Sequence, residues 1–296
     1  MKIAILMGGD SPEREISIKT GKAVEKALLD LSYDVVCINF YDDLESTIPK
    51  LSKCDFVFNA LHGGIGENGT VQGFLDCLKI PYTGSGVNPS SIGMDKHISK
   101  TLVSRLGYET PSWELVSRNM KAPIIDHFPV IVKPNTQGST IGLSLVKKQS
   151  SFKDALNSAF NFDENVLIES FISGREIACS IVGNKILPLV EIIPSHELYD
   201  FECKYSQGKS SYIGSPELAF GLADEIKRRG KNIYDHFGCS SYGRVDFLVD
   251  NEDIPWFLEL NTLPGMTSTS LMPMAAIEMG WSFEKLLRTI VQDMVS

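Results

Sequence analysis

No two of the six cysteines, Cys37, Cys54, Cys77, Cys179, Cys203 and Cys239, form a C-x-x-C pair, which excludes zinc-ribbon and thioredoxin-type chemistry. Scattered in this way they read as small buried hydrophobes in a reducing compartment. Long apolar runs are also missing. Nothing approaches the ~18 residues of a membrane span, and Ile3–Met7 is followed directly by Gly8-Gly9, too short a run for the core of a secretory leader. A soluble, cytoplasmic chain is expected. Basic residues are outnumbered, 28 Lys and Arg against 37 Asp and Glu, for a net charge of −9, so general nucleic-acid binding is excluded. Three nucleotide and metal signatures are absent as well. Gly208-Lys209-Ser210 has Cys203 where a P-loop needs its first glycine, His196-Glu197 is followed by Asp200 where a zincin needs histidine, and Gly8-Gly9 does not continue as G-x-G-x-x-G.

What is present is ordinary globular material: 296 residues, 43% hydrophobic and 22% charged, enough for two domains, or three small ones, with sizeable cores. The first part alternates strand and helix patterns: strands at Ile3–Met7, Val35–Phe40 and Phe56–Ala60, a helix from Ser11-Pro12 to about Leu31, a helix at Val71–Leu78, and a short strand at Pro81-Tyr82-Thr83 before a Gly/Ser/Asn/Pro loop. That alternation predicts an open parallel α/β sheet ending near residue 88. Beyond Met94 the pattern becomes α+β. It reads as a helix at Asp95–Leu106, a hairpin of Pro129–Val132 and Leu143–Val146 around KPNTQGSTIG, a helix at Ser151–Phe160 and a strand at Val166–Glu169. An antiparallel pair follows at Ile177–Val182 and Ile186–Ile193, then a polar stretch at 194–215, a helix at Pro216–Phe237, strands at Arg244–Val249 and Pro255–Leu260, and an amphipathic C-terminal helix. A loop as long as 194–215 inside a compact domain is expected to be functional or mobile.

The strongest chemical signal is GRVDFLVDNEDIPWFLELNTLPG, residues 243–265. Strand periodicity puts Glu259 and Asn261 on one face, and a neighbouring strand can bring Asp246 beside them. Two carboxylates and an amide oxygen suit Mg²⁺ bridging to phosphates. The apolar neighbours Phe247, Leu248, Phe257 and Leu258 argue against free surface acids, and Arg244 shares the face of Asp246. Lys96 and Lys133 stand at the edges of apolar structure, with QGSTIG close behind Lys133. Backbone N–H groups of such a loop can cradle phosphates, although on its own the stretch reads more readily as a plain glycine hairpin. HGGIGENG, residues 62–69, follows a parallel strand at its carboxyl end, where ligands bind in open α/β sheets. His62 can meet a carboxylate there, with Glu67 orienting it or bonding loop amides. Glu169 and Glu176 flank Phe171 and Gly174, a segment able to line an adenosine pocket.

Taken together, GGDSPEREIS (8–17), ALHGGIGENGTVQG (60–73), PYTGSGV (81–87), MDK (94–96), VIVKPNTQGSTIG (130–142), VLIE (166–169), YDFECKY (199–205), GRVD (243–246) and LELNTLPGMTSTSLMPMAA (258–276) resemble the D-alanine–D-alanine ligases of the ATP-grasp superfamily, in order and over nearly the whole chain. The resemblance implies a Rossmann-like N-terminal α/β domain (1–88) followed by a two-part ATP-grasp fold. Its central part would span 89–180, and its C-terminal part, carrying the metal site and the mobile loop 194–215, would span 181–296. It implies ATP-dependent joining of two D-alanines through an acyl phosphate for peptidoglycan precursors, with ATP and two Mg²⁺ (or Mn²⁺), in a cytoplasmic homodimer with no nucleic-acid or membrane partner.

By motif position, adenine and ribose would meet Glu169, the backbone of Phe171 and Ile172, and Glu176. Lys96, Lys133, Gly138 and the Ser139 loop would hold phosphates, and Asp246, Glu259 and Asn261 would hold the metals. Glu13 and His62 would meet the first D-alanine and Ser270 the carboxylate of the second. Arg244 and the Gly265 N–H would stabilise the oxyanion, while Glu13, Ser139 and Tyr205 form the family's hydrogen-bonded trio with Lys204 alongside. Ser170 stands where many relatives carry lysine, and Thr140 where a second serine is common. Ligases making D-alanyl-D-lactate are the nearest rivals, and Tyr205 is the discriminating residue, phenylalanine being found there in the depsipeptide enzymes.

Overall fold

The computed structural model describes residues 1–40, 44–121, 123–194 and 210–295. Among them one parallel and two antiparallel sheets form. The first contains β1 (Lys2–Gly8), β2 (Asp34–Phe40) and β3 (Phe56–Asn59) in the order β2-β1-β3, with α1 (Arg14–Asp30) and α2 (Leu44–Leu51) in the crossovers. On β1, Ile3 and Ile5 pack with Val24 and Leu28, while Ala4 and Leu6 pack with Ile38, Val57 and Leu75. A strand buried on both faces needs an unbroken apolar run, the pattern seen at Ile3–Met7.

Three expectations in this part change. Pro81-Tyr82-Thr83 forms no strand, only an isolated parallel bridge from Tyr82 to Val57. α1 begins at Arg14 with Glu13 at its N-cap, not at Pro12. The Ser11 hydroxyl donates to the His62 carbonyl and accepts from the Glu13 N–H, which fixes a turn ahead of the helix. After α3 (Thr70–Leu78), the segment read as a loop contains α4 (Val87–Met94). Its proline, Pro89, falls in the first turn, where the missing N–H has no partner to lose.

α5 (Lys96–Arg105) follows at once, capped by Asp95, whose carboxylate accepts from the Ile98 N–H at 2.9 Å. The second sheet is β4 (Trp113–Ser117), β5 (Val130–Pro134), β6 (Ser144–Val146) and β7 (Asn165–Ser170), ordered β4-β7-β5-β6 and backed by α6 (Gln149–Phe160). β5 and β6 form the expected hairpin.

The third sheet contains β8 (Arg175–Val182), β9 (Lys185–Ile186), β10 (Val190–Pro194), β11 (Ser210–Gly214), β12 (Tyr242–Val249) and β13 (Pro255–Asn261). Its order is β11-β10-β8-β12-β13, with β9 paired to β8. A division at residue 180 would cut β8; the passage from second to third sheet lies between Ser170 and Arg175. The polar stretch 194–215 is in part the strand β11, and its residues 195–209, with Lys204 and Tyr205, lie outside the described residues. α7 (Leu222–His236) starts later than Pro216 because Gly221, at φ +78°, turns the chain just before it. α8 (Leu271–Glu278) and α9 (Phe283–Val295) complete the fold. Leu286, Leu287, Ile290 and Val291 of α9 share one core with Ile3 of the first sheet, Leu28 of α1, and Ala178 and Val190 of the third sheet.

Candidate active site

β12 and β13 build the acidic face. They pair antiparallel with Arg244 opposite Asn261 and Asp246 opposite Glu259. Residues directly opposite share a face and stand close together, so all four side chains project to one side. The alternate residues Val245, Phe247 and Leu260 are buried in the core, which holds the acidic face outward toward the cleft. Asp246, 2% exposed, receives Arg244 Nε and Nη2 at 2.7 Å each. The Asn261 amide NH₂ spans both acids, 3.3 Å from Asp246 Oδ2 and 3.2 Å from Glu259 Oε1. This compact, all-oxygen donor set fits a hard divalent cation once the Asn261 amide turns its oxygen inward.

Before this face opens a cleft of about 670 Å³, which Glu13, His62, Lys96, Gly138, Ser139, Arg244, Glu259, Asn261, Gly265 and Ser270 all line. Segments distant in sequence meet there. The Ser139 hydroxyl, 126 residues on, donates to Glu13 Oε1. Ser139 and Thr140 are consecutive non-glycine residues with φ of +53° and +62°, a conformation costing about 1–3 kcal/mol per residue that the surrounding structure must hold in place. Lys96 Nζ donates to the Gln137 carbonyl at 2.8 Å, and the His97 N–H to Asn135 Oδ1 at 2.9 Å. The start of α5 is thereby fastened to the glycine-rich turn.

His62 is 6% exposed, with Nε2 2.9 Å from Thr20 Oγ1 and Nδ1 3.4 Å from Glu67 Oε1. Its loop is gripped from below, since Asn59 and Gln72 both donate side-chain N–H groups to the Gly66 carbonyl. Gly63, at φ +68°, has a backbone conformation that side chains rarely adopt, and a Cβ there would also press on Glu13 Oε2 at 2.6 Å. Across the cleft, Gly265 lies between Ser270 and His62: a Cβ there would be 3.0 Å from Ser270 Oγ and 4.0 Å from His62 Cε1. Ser270 precedes α8 as its N-cap, where the helix dipole favours an anion.

Among the described residues, Lys133, Glu169, Phe171, Ile172 and Glu176 do not line this cleft. Glu169 on β7 is 3% exposed and lies 2.8 Å from Lys133 Nζ and 3.1 Å from Lys100 Nζ. Burial pushes its carboxyl up, but the two ammonium groups outweigh that, and the net displacement is below the usual carboxylate range. Phe171 and Ile172, in the passage between second and third sheets, are half-buried, as is Glu176 at the start of β8. Ser170 bonds Ser112 Oγ at 2.6 Å. Lys100 went unread in the sequence. It falls one helical turn after Lys96, a spacing that puts both lysines on one face.

Family models for the N-terminus and C-terminus of D-ala D-ala ligase match residues 39–85 and 106–292. The D-alanine–D-alanine ligase of Geotalea uraniireducens is 42% identical over 98% of this chain and 94% of its own length. Crystal structures of the Bacillus anthracis D-alanine–D-alanine ligase, one of them complexed with ATP, superimpose with TM-scores of 0.90 and 0.88 for the uncomplexed and ATP-bound forms. They are 37% and 35% identical, and each match covers 100% of this chain and 97% of the other. The parallel sheet followed by two antiparallel sheets is thus the ATP-grasp arrangement of those enzymes. With likeness of this extent spanning all three sheets and the cleft between them, the chain belongs to the D-alanine–D-alanine ligase family.

Proposed function

We propose that this chain joins two D-alanines into D-alanyl-D-alanine, converting ATP to ADP and phosphate, in the supply of peptidoglycan precursors. The observation that carries the reading is the convergence of Glu13, Ser139, Arg244, Glu259, Gly265 and Ser270 on one cleft in a chain of this family. The first D-alanine lies between Glu13 and His62, its carboxylate attacking the γ-phosphate to give an acyl phosphate and ADP. Ser270, at the positive end of α8, receives the carboxylate of the second. The free amine of the second D-alanine attacks the acyl carbon, and the tetrahedral oxyanion is met by the Arg244 guanidinium and the Gly265 N–H. Collapse of that intermediate forms the peptide bond and expels phosphate.

Lys96, Lys133, Gly138 and the Ser139 loop hold the phosphates, while Glu169, Phe171, Ile172 and Glu176 hold the nucleoside. Asp246, Glu259 and Asn261 would hold two Mg²⁺, or Mn²⁺ on the same oxygens, whose charge offsets that of the β- and γ-phosphates. Tyr205 joins Glu13 and Ser139, with Lys204 beside it. The N-terminal part, 1–88, and two ATP-grasp parts that divide in the passage between Ser170 and Arg175 act as three units. The enzyme works in the cytoplasm as a homodimer; no helix among the described residues is long and apolar enough to cross a membrane. The test is ATP-dependent phosphate release with D-alanine, L-alanine or D-lactate as sole or paired substrate. Strict dependence on D-alanine is expected, and release that requires D-lactate would reassign the acceptor.

A further inference from the structure

Lys100 is a lysine in the wrong place for a surface helix. It is fully buried, and long cationic side chains are almost never so unless paired. Its ammonium donates to Thr110 Oγ1 at 2.7 Å, lies 3.1 Å from Glu169 Oε1 and stands 5.3 Å from the Trp113 ring centroid. Glu169 Oε2 is taken by Lys133 at 2.8 Å. One carboxylate therefore lies between two ammonium groups, one reaching it from helix α5 and the other from strand β5.

Two features make this more than a structural ion pair. Lys100 meets Glu169 Oε1 at 3.1 Å as an ion pair, off the line of a well-aligned hydrogen bond, so Oε1 keeps room for a further donor. A carboxylate oxygen offers more than one acceptor site, and a second donor there is readily taken up. The second feature is the anchor behind the ammonium. Thr110 passes its own hydroxyl proton to the Phe257 carbonyl at 2.9 Å, and the Phe257 N–H returns to the Glu109 carbonyl at 2.8 Å. Phe257 is on β13, two residues before Glu259. Lys100 thus fastens a carboxylate of the second sheet to the strand of the third that carries the acidic face.

We propose that Lys100 is a positioning residue for the purine base: it fixes the Glu169 carboxylate so that its Oε1 accepts the exocyclic amine of adenine. The inference rests on the nucleotide reading given above and extends it from the residues that touch the base to the one that aims them. It also assigns a source of base selectivity. Guanine carries a carbonyl oxygen where adenine carries the amine, and two acceptors facing each other repel, so a rigidly held Glu169 rejects GTP. Without Lys100 the carboxylate keeps Lys133 but is free to rotate, and the rejection weakens.

The experiment is calorimetric binding of ATP and of GTP to the full chain without D-alanine, for the native protein, Lys100→Met, Glu169→Gln and the double variant. Because it needs no turnover, it separates this proposal from the ligase reading: native protein that binds ATP but forms no dipeptide would defeat only the latter. Lys100→Met is close in volume and leaves Glu169 and Lys133 as a balanced pair. ATP affinity is expected to fall about tenfold, the value of one hydrogen bond to a charged acceptor, with GTP affinity unchanged or improved and the ATP preference reduced. The loss should be absent when Lys100→Met is added to Glu169→Gln. In turnover assays the KM for ATP should rise while kcat and the KM for D-alanine stay within about twofold. If Lys100→Met fails to fold, Thr110→Val, which removes the anchor and keeps the ammonium, should shift the ATP preference in the same direction. Unchanged ATP to GTP preference in a folded variant, or losses that simply add in the double variant, would overturn the proposal.

Discussion

Arg244 and Asp246, two residues apart on β12, face the same side of the strand, and the guanidinium closes on the carboxylate through two hydrogen bonds of 2.7 Å. A planar fork meeting a carboxylate in this manner is the strong form of the ion pair. It holds Arg244 over the cleft, beside Glu259 and Asn261, at the place where we put the developing oxyanion.

Glu259→Gln leaves that pair untouched and removes only one negative charge from the acidic face. The fold should persist, with an unchanged unfolding midpoint, while kcat falls by about two to three orders of magnitude even at saturating Mg²⁺. Near-native turnover in this variant would remove Glu259 from the metal site.

Ser139→Ala deletes the hydroxyl that joins the glycine-rich turn to Glu13. A hydrogen bond to a charged acceptor contributes about 1.5–3 kcal/mol, so kcat/KM for the first D-alanine should drop roughly 10- to 100-fold. Steady-state kinetics resolving the two D-alanine sites would read it. A loss confined to the second site would move Ser139 away from the donor.

Tyr205→Phe is expected to weaken activity by about one neutral hydrogen bond, ~1 kcal/mol, and to shift products toward D-alanyl-D-lactate. The shift should be largest below pH 7, where the acceptor amine is mostly protonated. Product ratios from a mixture of D-alanine and D-lactate between pH 6 and 9 provide the measurement, and identical native and variant ratios would exclude Tyr205 from acceptor choice.

A pH signature of stability follows from Lys100. Burial pushes its ammonium down from 10.5 to about 8, with Glu169 opposing and Lys133 assisting the displacement. Between pH 8 and 10.5 the unfolded chain holds this proton and the folded chain has released it. Stability contributed at this position therefore rises with pH across that window. Urea midpoints at pH 7.5 and 9.5 should show the native protein gaining relative to Lys100→Met. A difference that stays flat would mean the ammonium is not desolvated in the folded state.

The acidic face was readable because strand periodicity and the apolar neighbours Phe247 and Phe257 leave Asp246, Glu259 and Asn261 one side to occupy. The parallel sheet was readable from the unbroken run at Ile3–Met7. The partnership of Ser139 with Glu13 is a contact between remote segments that no local spacing encodes, and only the family resemblance pointed to both. Lys100 was illegible because a lysine within a polar helix looks solvated; what buries it is the arrival of β7, β13 and Thr110. α4 was hidden by the composition of VNPSSIGM, poor in strong helix formers and held by contact with its neighbours.

The core that joins α9 to β1 and α1 also bears on how the chain is made. Val24 and Leu28 leave the ribosome long before Leu286, Leu287, Ile290 and Val291, the residues that share their core. One side of the first sheet therefore waits, incompletely covered, while the segments between Leu28 and Leu286 are synthesised. Such transiently bared apolar surface is where nascent chains associate wrongly. Yield of native protein should thus depend on chaperone supply during synthesis, more than the small size of that first sheet would suggest.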